Sequence, residues 1–177
     1  MNMLARISGA AVLALSFGIA NASAASLQAQ LSDPGWNGKN IPAGQQCHRF
    51  GGHGATPRLT VRDIPVGAQA LVLAFSDHDY KPMDNGGHGV IGYLIPPGMP
   101  SAVTVPSVPG HTFDLPAGFF VVRPHANPKY DVAGAYMPPC SGGKGHMYYV
   151  TVEAVTLNAN GRPANILGKT AIDIGRY

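Results

Sequence analysis

The sequence predicts a mainly β fold, a sandwich or barrel with little helix, and three observations carry that reading. Short apolar runs recur along the chain, and proline or glycine fences most of them. Glycine (23 residues) and proline (16) are abundant, yet 45% of the chain is hydrophobic, so disorder is disfavoured and loop-rich β structure fits. The longest patterned segment, 147–157, alternates as a half-buried strand does.

The N-terminus reads as a leader. Met1 to Arg6 carries a lone positive charge, Ile7 to Ala20 is apolar and small, and Ala22-Ser23-Ala24 fits the small-x-small cleavage rule. The apolar run is too short to span a bilayer. A secretory signal over 1–24 is therefore expected, leaving one domain over 25–177, periplasmic or secreted, with no transmembrane segment. About 150 residues suffice for a single domain with a sizeable core. Loss of the leader removes Arg6 alone and lowers the formal charge from +3 to +2. Only nine carboxylates are present, one of them Glu, so the high pI reflects missing acids more than a cationic surface. With no Lys/Arg cluster, nucleic acid is excluded as a partner.

Cys47 and Cys140 are the two cysteines, and an even count in an exported chain reads first as a disulfide, with two buried thiols as the alternative. Closing the 94 residues from Cys47 to Cys140 would restrict the unfolded chain by roughly 4–5 kcal/mol. No Cys-x-x-Cys pair is present, which disfavours thioredoxin-type chemistry.

Residues 25–46 read as an extended leading segment broken by Asp33-Pro34-Gly35 and Pro42. Leu59–Ile64 is a short strand ended by Pro65-Val66-Gly67. Ala70–Ser76 is near-continuously apolar, as a strand buried on both faces would be, and Val90–Ile95 is another, closed by Pro96-Pro97-Gly98. Shorter strands are expected at Ala102–Val105, Thr112–Leu115 and Phe119–Val122. In 147–157, period-two geometry puts His146, Tyr148, Val150 and Val152 on one face and Met147, Tyr149 and Thr151 on the other. The tail is the one helical candidate: Pro163 suits a first turn, and Ile166, Thr170, Ile172 and Ile174 form an imperfect stripe.

Three polar islands sit at strand ends, where a sheet can gather them at one edge: Ser76-Asp77-His78-Asp79, Gly86-Gly87-His88-Gly89, and Pro138-Pro139-Cys140 with Gly145-His146-Met147-Tyr148. Carboxylates beside histidines suit a metal, an acid–base pair or an anion cavity. For an anion, the histidines would act as protonated donors supported by the aspartate, and glycine amides would add a nest. Each residue also has a plainer reading. Asp77 and Asp79 form turns readily, His88 fits a loop, His146 a hydrogen-bonded core position, and Tyr148 an ordinary sheet site. His48, His53, His78, His111 and His125 read as surface or loop histidines, and Lys144 as a solvated loop charge.

The order Cys47…Gly54-x-Thr56-Pro57-x-Leu59, Pro65-x-Gly67, Leu71-Val72-Leu73…Asp77-x-Asp79…His88, then Pro138-Pro139…Gly145-His146-x-Tyr148, resembles the phosphatidylethanolamine-binding protein family. Within it, the chain is most similar to the bacterial Raf-kinase-inhibitor-like branch, over residues 38 to 157. The resemblance implies an antiparallel β-sandwich with a pocket at one edge that accepts phosphate or a phosphorylated head group. It implies ligand-binding roles for Asp77, Asp79, His88, Pro138, His146 and Tyr148, together with the 134–139 loop. The chain departs from the family pattern at His78 and at Tyr80-Lys81-Pro82, where prolines are usual. Val61 stands where the family often has Trp. Gly86 and Gly87 replace aromatic residues, and their small size predicts a wider or softer pocket wall.

The leading functional reading is a binding module, not an enzyme, holding a small anionic or phosphorylated ligand. No nucleophile elbow, phosphate loop or metalloprotease helix signature is present, and no cofactor is implied. A second reading, drawn from the family, is an inhibitor or modulator of a kinase or protease, which would need a periplasmic or host protein target. A third is a metalloenzyme with Asp77, His88 and His146 as ligands.

Overall fold

Eight strands form two antiparallel sheets in the computed structural model, which describes residues 26–98 and 100–177. The leader expected over 1–24 lies outside these residues. The smaller sheet has the order β1-β2-β5, with β1 at Gln28–Leu31, β2 at Leu59–Arg62 and β5 at Ala102–Val105. The larger has the order β6-β4-β3-β7-β8, with β3 at Ala70–Asp77, β4 at Gly89–Leu94, β6 at Phe119–Arg123, β7 at Met147–Leu157 and β8 at Pro163–Arg176. Helical structure among the described residues is limited to two 3-10 turns, His48–Phe50 and Lys81–Met83. None is long and apolar enough to cross a membrane.

The main core lies between the sheets. Leu59, Val61, Val103 and Val105 from one side meet Leu71, Leu73, Phe75, Ile91, Val150 and Val152 from the other. Burying each such side chain contributes about 1.5–3 kcal/mol. Ala70, Val72, Val90 and Val155 form a second, smaller cluster on the opposite face of the larger sheet. β3 is thus apolar on both faces, which is why its sequence shows no alternation. β7 behaves as its pattern predicts: Tyr148, Val150, Val152 and Ala154 are buried, while Met147, Tyr149 and Thr151 are half-buried.

Two expected elements differ. The tail is β8, a strand paired along β7, and not a helix. Residues 158–162 form a tight turn in which Asn158 N–H donates to the Arg162 carbonyl at 2.9 Å and Gly161 adopts φ +70°. That hairpin returns the chain onto β7 before a helix can start. Thr112–Leu115 is not a strand either. Thr112 Oγ1 accepts the Asp114 N–H at 2.9 Å, a local turn that competes with sheet pairing.

Cys47 and Cys140 form a disulfide with Cα atoms 5.3 Å apart. Cys47 N–H donates to the Pro139 carbonyl at 3.0 Å, and the bridge packs with Met83, Met137 and Phe50 in a satellite core. The bond ties the leading segment to the strand-like run that enters β7. Replacing both cysteines with alanine is expected to lower the unfolding free energy by roughly 4 kcal/mol, read from urea denaturation under oxidising conditions. A loss below about 1 kcal/mol would mean the loop constraint contributes little.

Candidate functional site

Asp77 ends β3 on the parity of Leu71, Leu73 and Phe75, all of which point into the main core. Alternation therefore turns its carboxylate to the same inner side. The β3–β7 register sets Asp77 opposite Tyr148, so the start of β7 arrives beside it. His146, two residues earlier on β7's parity, donates Nδ1–H to Asp77 Oδ2 at 2.8 Å. The Asp79 N–H donates to Asp77 Oδ1 at 2.8 Å. Asp77 is 3% exposed, and an unpaired charge at that depth would cost several kcal/mol. These two charge-assisted bonds offset the cost.

His88 enters from the turn before β4. Its N–H donates to the Phe75 carbonyl at 3.0 Å, and its own carbonyl accepts the Met137 N–H at 2.9 Å. The ring's Nδ1–H donates to the Met137 carbonyl at 2.7 Å. Gly89 makes this approach possible: its φ is +118°, and a Cβ there would lie 2.0 Å from the Ala135 carbonyl oxygen. The Tyr148 ring meets His88 edge-on with centroids 5.2 Å apart, and its hydroxyl accepts the Cys140 N–H at 3.1 Å.

Asp77, His88, His146 and Tyr148 line one recess of about 270 Å³. Met83, Met137 and Cys140 supply apolar wall, and Tyr80, Asn127, Tyr130, Ser141 and Lys144 complete the lining. Lys144 rides an exposed loop whose neighbours Gly143 and Gly145 take φ of +75° and +76°. Two expected residues are not in the lining. Asp79 instead accepts the Met147 N–H at 2.7 Å, clamping the start of β7, and so positions Asp77 and His146 from outside. Pro138 packs against Gly54 and Gly110, where a Cβ on either glycine would meet its ring at about 2.6–2.7 Å. Of the 134–139 loop, Met137 alone reaches the recess. Tyr80, Met83, Asn127 and Tyr130 carried no sequence signal, because they arrive through loops with no periodicity.

The glycines before His88 do not widen the recess. A Cβ on Gly87 would lie 2.2 Å from the Met83 Cα, and one on Gly86 would lie 2.6 Å from Val90 Cγ2. At Gly87 the space is filled by the Lys81–Met83 turn, with Met83 itself buried, and at Gly86 by Val90 and Arg123. The expectation of protonated histidine donors also fails at His88. Burial pushes its pKa down from 6.5 to about 4, against the weaker opposing pull of the Met137 carbonyl and Asp77. The ring is neutral, with its proton fixed on Nδ1. Burial raises the Tyr148 phenol, which stays protonated.

His48, His53 and His78 are exposed, as expected. His111 and His125 are not surface groups. His111 donates Nε2–H to Asp131 at 2.7 Å with both side chains 3% exposed, and His125 donates Nε2–H to the Val132 carbonyl at 3.0 Å. Pairing of His111 N–H with the Tyr136 carbonyl folds this stretch inward. Among the described residues, three potential metal donors meet within 4.8 Å at Cys47, Asp131 and Cys140, where the disulfide consumes both sulfurs. Asp77, His88 and His146, the ligand set of the third reading, line one recess but do not bring their ligand atoms within that distance of one another.

A phosphatidylethanolamine-binding protein homologue from Chlamydia trachomatis, CT736, superposes with a TM-score of 0.51 at 23% identity, covering 86% of this chain and 97% of that one. Escherichia coli YbcL, described as a member of the mammalian family of that name, gives 0.53 at 18% identity over 86% of this chain and 98% of its own. The chain has the phosphatidylethanolamine-binding protein fold. No family model matches the sequence, and neither does any curated protein. The likeness therefore lives in the fold. Within that phosphatidylethanolamine-binding protein fold, the recess sits where the end of β3 meets the starts of β4 and β7.

The neutral state of His88 has a consequence for stability. An unfolded histidine takes up a proton near pH 6.5, whereas folded His88 does so only near pH 4. Acidification through that interval therefore favours unfolding, and the lost stability reaches about 3 kcal/mol by pH 4. The His88→Asn variant keeps a donor for the Met137 carbonyl and does not titrate. Urea unfolding of both proteins from pH 7 to 4 should show a steeper fall for the parent; parallel curves would contradict a neutral buried His88.

Proposed function

We propose that this chain is a binding protein, not an enzyme, and that it holds a small phosphorylated or anionic group in the recess. One observation carries the reading: Asp77, His88, His146 and Tyr148, far apart in sequence, converge on one cavity at a sheet end. Its size, about 270 Å³, lies near the lower limit of ligand pockets and suits a head group better than a drug-sized molecule. The Tyr148 oxygen accepts the Cys140 N–H, and its hydroxyl hydrogen, beside Ser141, is the donor that can turn to a ligand. Lys144 adds positive charge at the mouth, and Met83, Met137 and Tyr130 suit an organic remainder. Membership of the phosphatidylethanolamine-binding protein family, its bacterial Raf-kinase-inhibitor-like branch included, belongs to the same reading. So does export to the periplasm or beyond, for which the leader pattern and the disulfide argue.

Calorimetric titration with phosphate and phosphoethanolamine near pH 6 tests the reading. Binding is expected, and the His146→Ala variant is expected to bind at least about tenfold more weakly, since it removes a polar contact and leaves Asp77 unpaired. No binding of either compound, or equal binding by the variant, would count against the site.

A further inference from the structure

The geometry points to a recess that accepts an oxyanion only when the anion brings its own proton, as a singly charged phosphate monoester does. The inference rests on the proposed anion site and names which anions enter it. The Nδ1–H of His88 is committed to the Met137 carbonyl at 2.7 Å, so the ring turns a lone pair, Nε2, to any other partner. Among the described residues no hydrogen bond uses that nitrogen, and His88 lines the recess.

The groups facing His88 offer little to change this. From β3 comes Asp77, negative and 3% exposed. From β7 come His146, whose Nδ1–H is held by Asp77, and Tyr148, edge-on at 5.2 Å. From the stretch after β6 comes His125, buried and with Nε2–H committed to the Val132 carbonyl. Burial holds the His88 ring neutral and pushes the His125 pKa down from its usual value. An oxyanion without hydrogen would thus set its lone pairs against those of His88, beside a buried carboxylate. An oxyanion carrying P–O–H donates that hydrogen to His88 Nε2 and accepts from the Tyr148 hydroxyl. A phosphate diester, the linkage of a phospholipid head group, has no such hydrogen, and neither has sulfate.

Calorimetry on the whole mature chain with methyl phosphate, dimethyl phosphate and sulfate decides the matter. At about pH 5.5, below the second ionisation of a monoester near pH 6, methyl phosphate is expected to bind at least about tenfold more tightly than the other two. Its affinity should fall toward about tenfold per pH unit above that ionisation. If positive charge lining the recess were responsible instead, sulfate would bind comparably to methyl phosphate at about pH 5.5. That result would overturn the inference and leave the anion site standing. Preferred binding of dimethyl phosphate would also overturn it and assign a diester head group. Failure of all three to bind would remove the anion site itself. In the His88→Gln variant an amide N–H can face the recess, and the preference for methyl phosphate over sulfate should shrink to within about threefold, a loss equal to one modest hydrogen bond. The three-anion comparison on the parent protein stands alone if that variant does not fold.

Discussion

Everything at the recess depends on the antiparallel pairing of β3 with β7 and on its register. A slip of one residue would turn Asp77, Phe75 and Leu73 to the outer face and point Ser76 and Ala74 into the main core in their place. The same register brings His146 within reach of Asp77 and sets Tyr148 across from it. Packing and site are therefore one constraint. The inner face that builds the core also aims the last residue of β3, Asp77, and the first inward residue of β7, Tyr148, and the Asp77–His146 pair closes the end of that face. Asp79 reinforces the register by accepting the Met147 N–H.

Polarity within the recess is arranged by backbone groups more than by charged side chains. The Met137 carbonyl fixes the tautomer of His88, the Cys140 N–H orients Tyr148, and the Asp79 N–H neutralises one face of Asp77. Each of these backbone groups sits on a segment anchored elsewhere, by the disulfide, by pairing with His88 and Thr112, or, for Asp79, by the bond to Met147. Donor and acceptor positions are thereby set before a ligand arrives, which lowers the ordering cost of binding.

Much of this was legible in the sequence, and the parts that were not share a cause. The strands at 59–62, 70–77, 89–94, 102–105, 119–123 and 147–157 announced themselves by apolar runs and proline fences. The four convergent side chains stood at the ends of those runs. β8 was misread because Ile166, Thr170, Ile172 and Ile174 fit a helical stripe loosely, although the last three also repeat at the strand period of two. The Asn160-Gly161 turn preceding it held the deciding signal. His111 and His125 lie in loops, as one half of their reading had it, but their burial comes from loop-on-loop pairing, which leaves no periodic trace. The tautomer of His88 was invisible for a similar reason: a backbone carbonyl 49 residues away determines it.

β8 runs along one border of the larger sheet for 14 residues; the backbone at Lys39 and Ile41 pairs with its Arg176 end, and the rest of such a border invites a second chain to add itself. Three irregularities in its pairing with β7, near Tyr149, Val155 and Leu157, kink the ribbon and break the flat template such growth requires. Lys169, Asp173 and Arg176 stud the same strand with charge. The protein is thus guarded against polymerising edge to edge, and concentrated solutions should stay clear where a straighter border would seed fibrils.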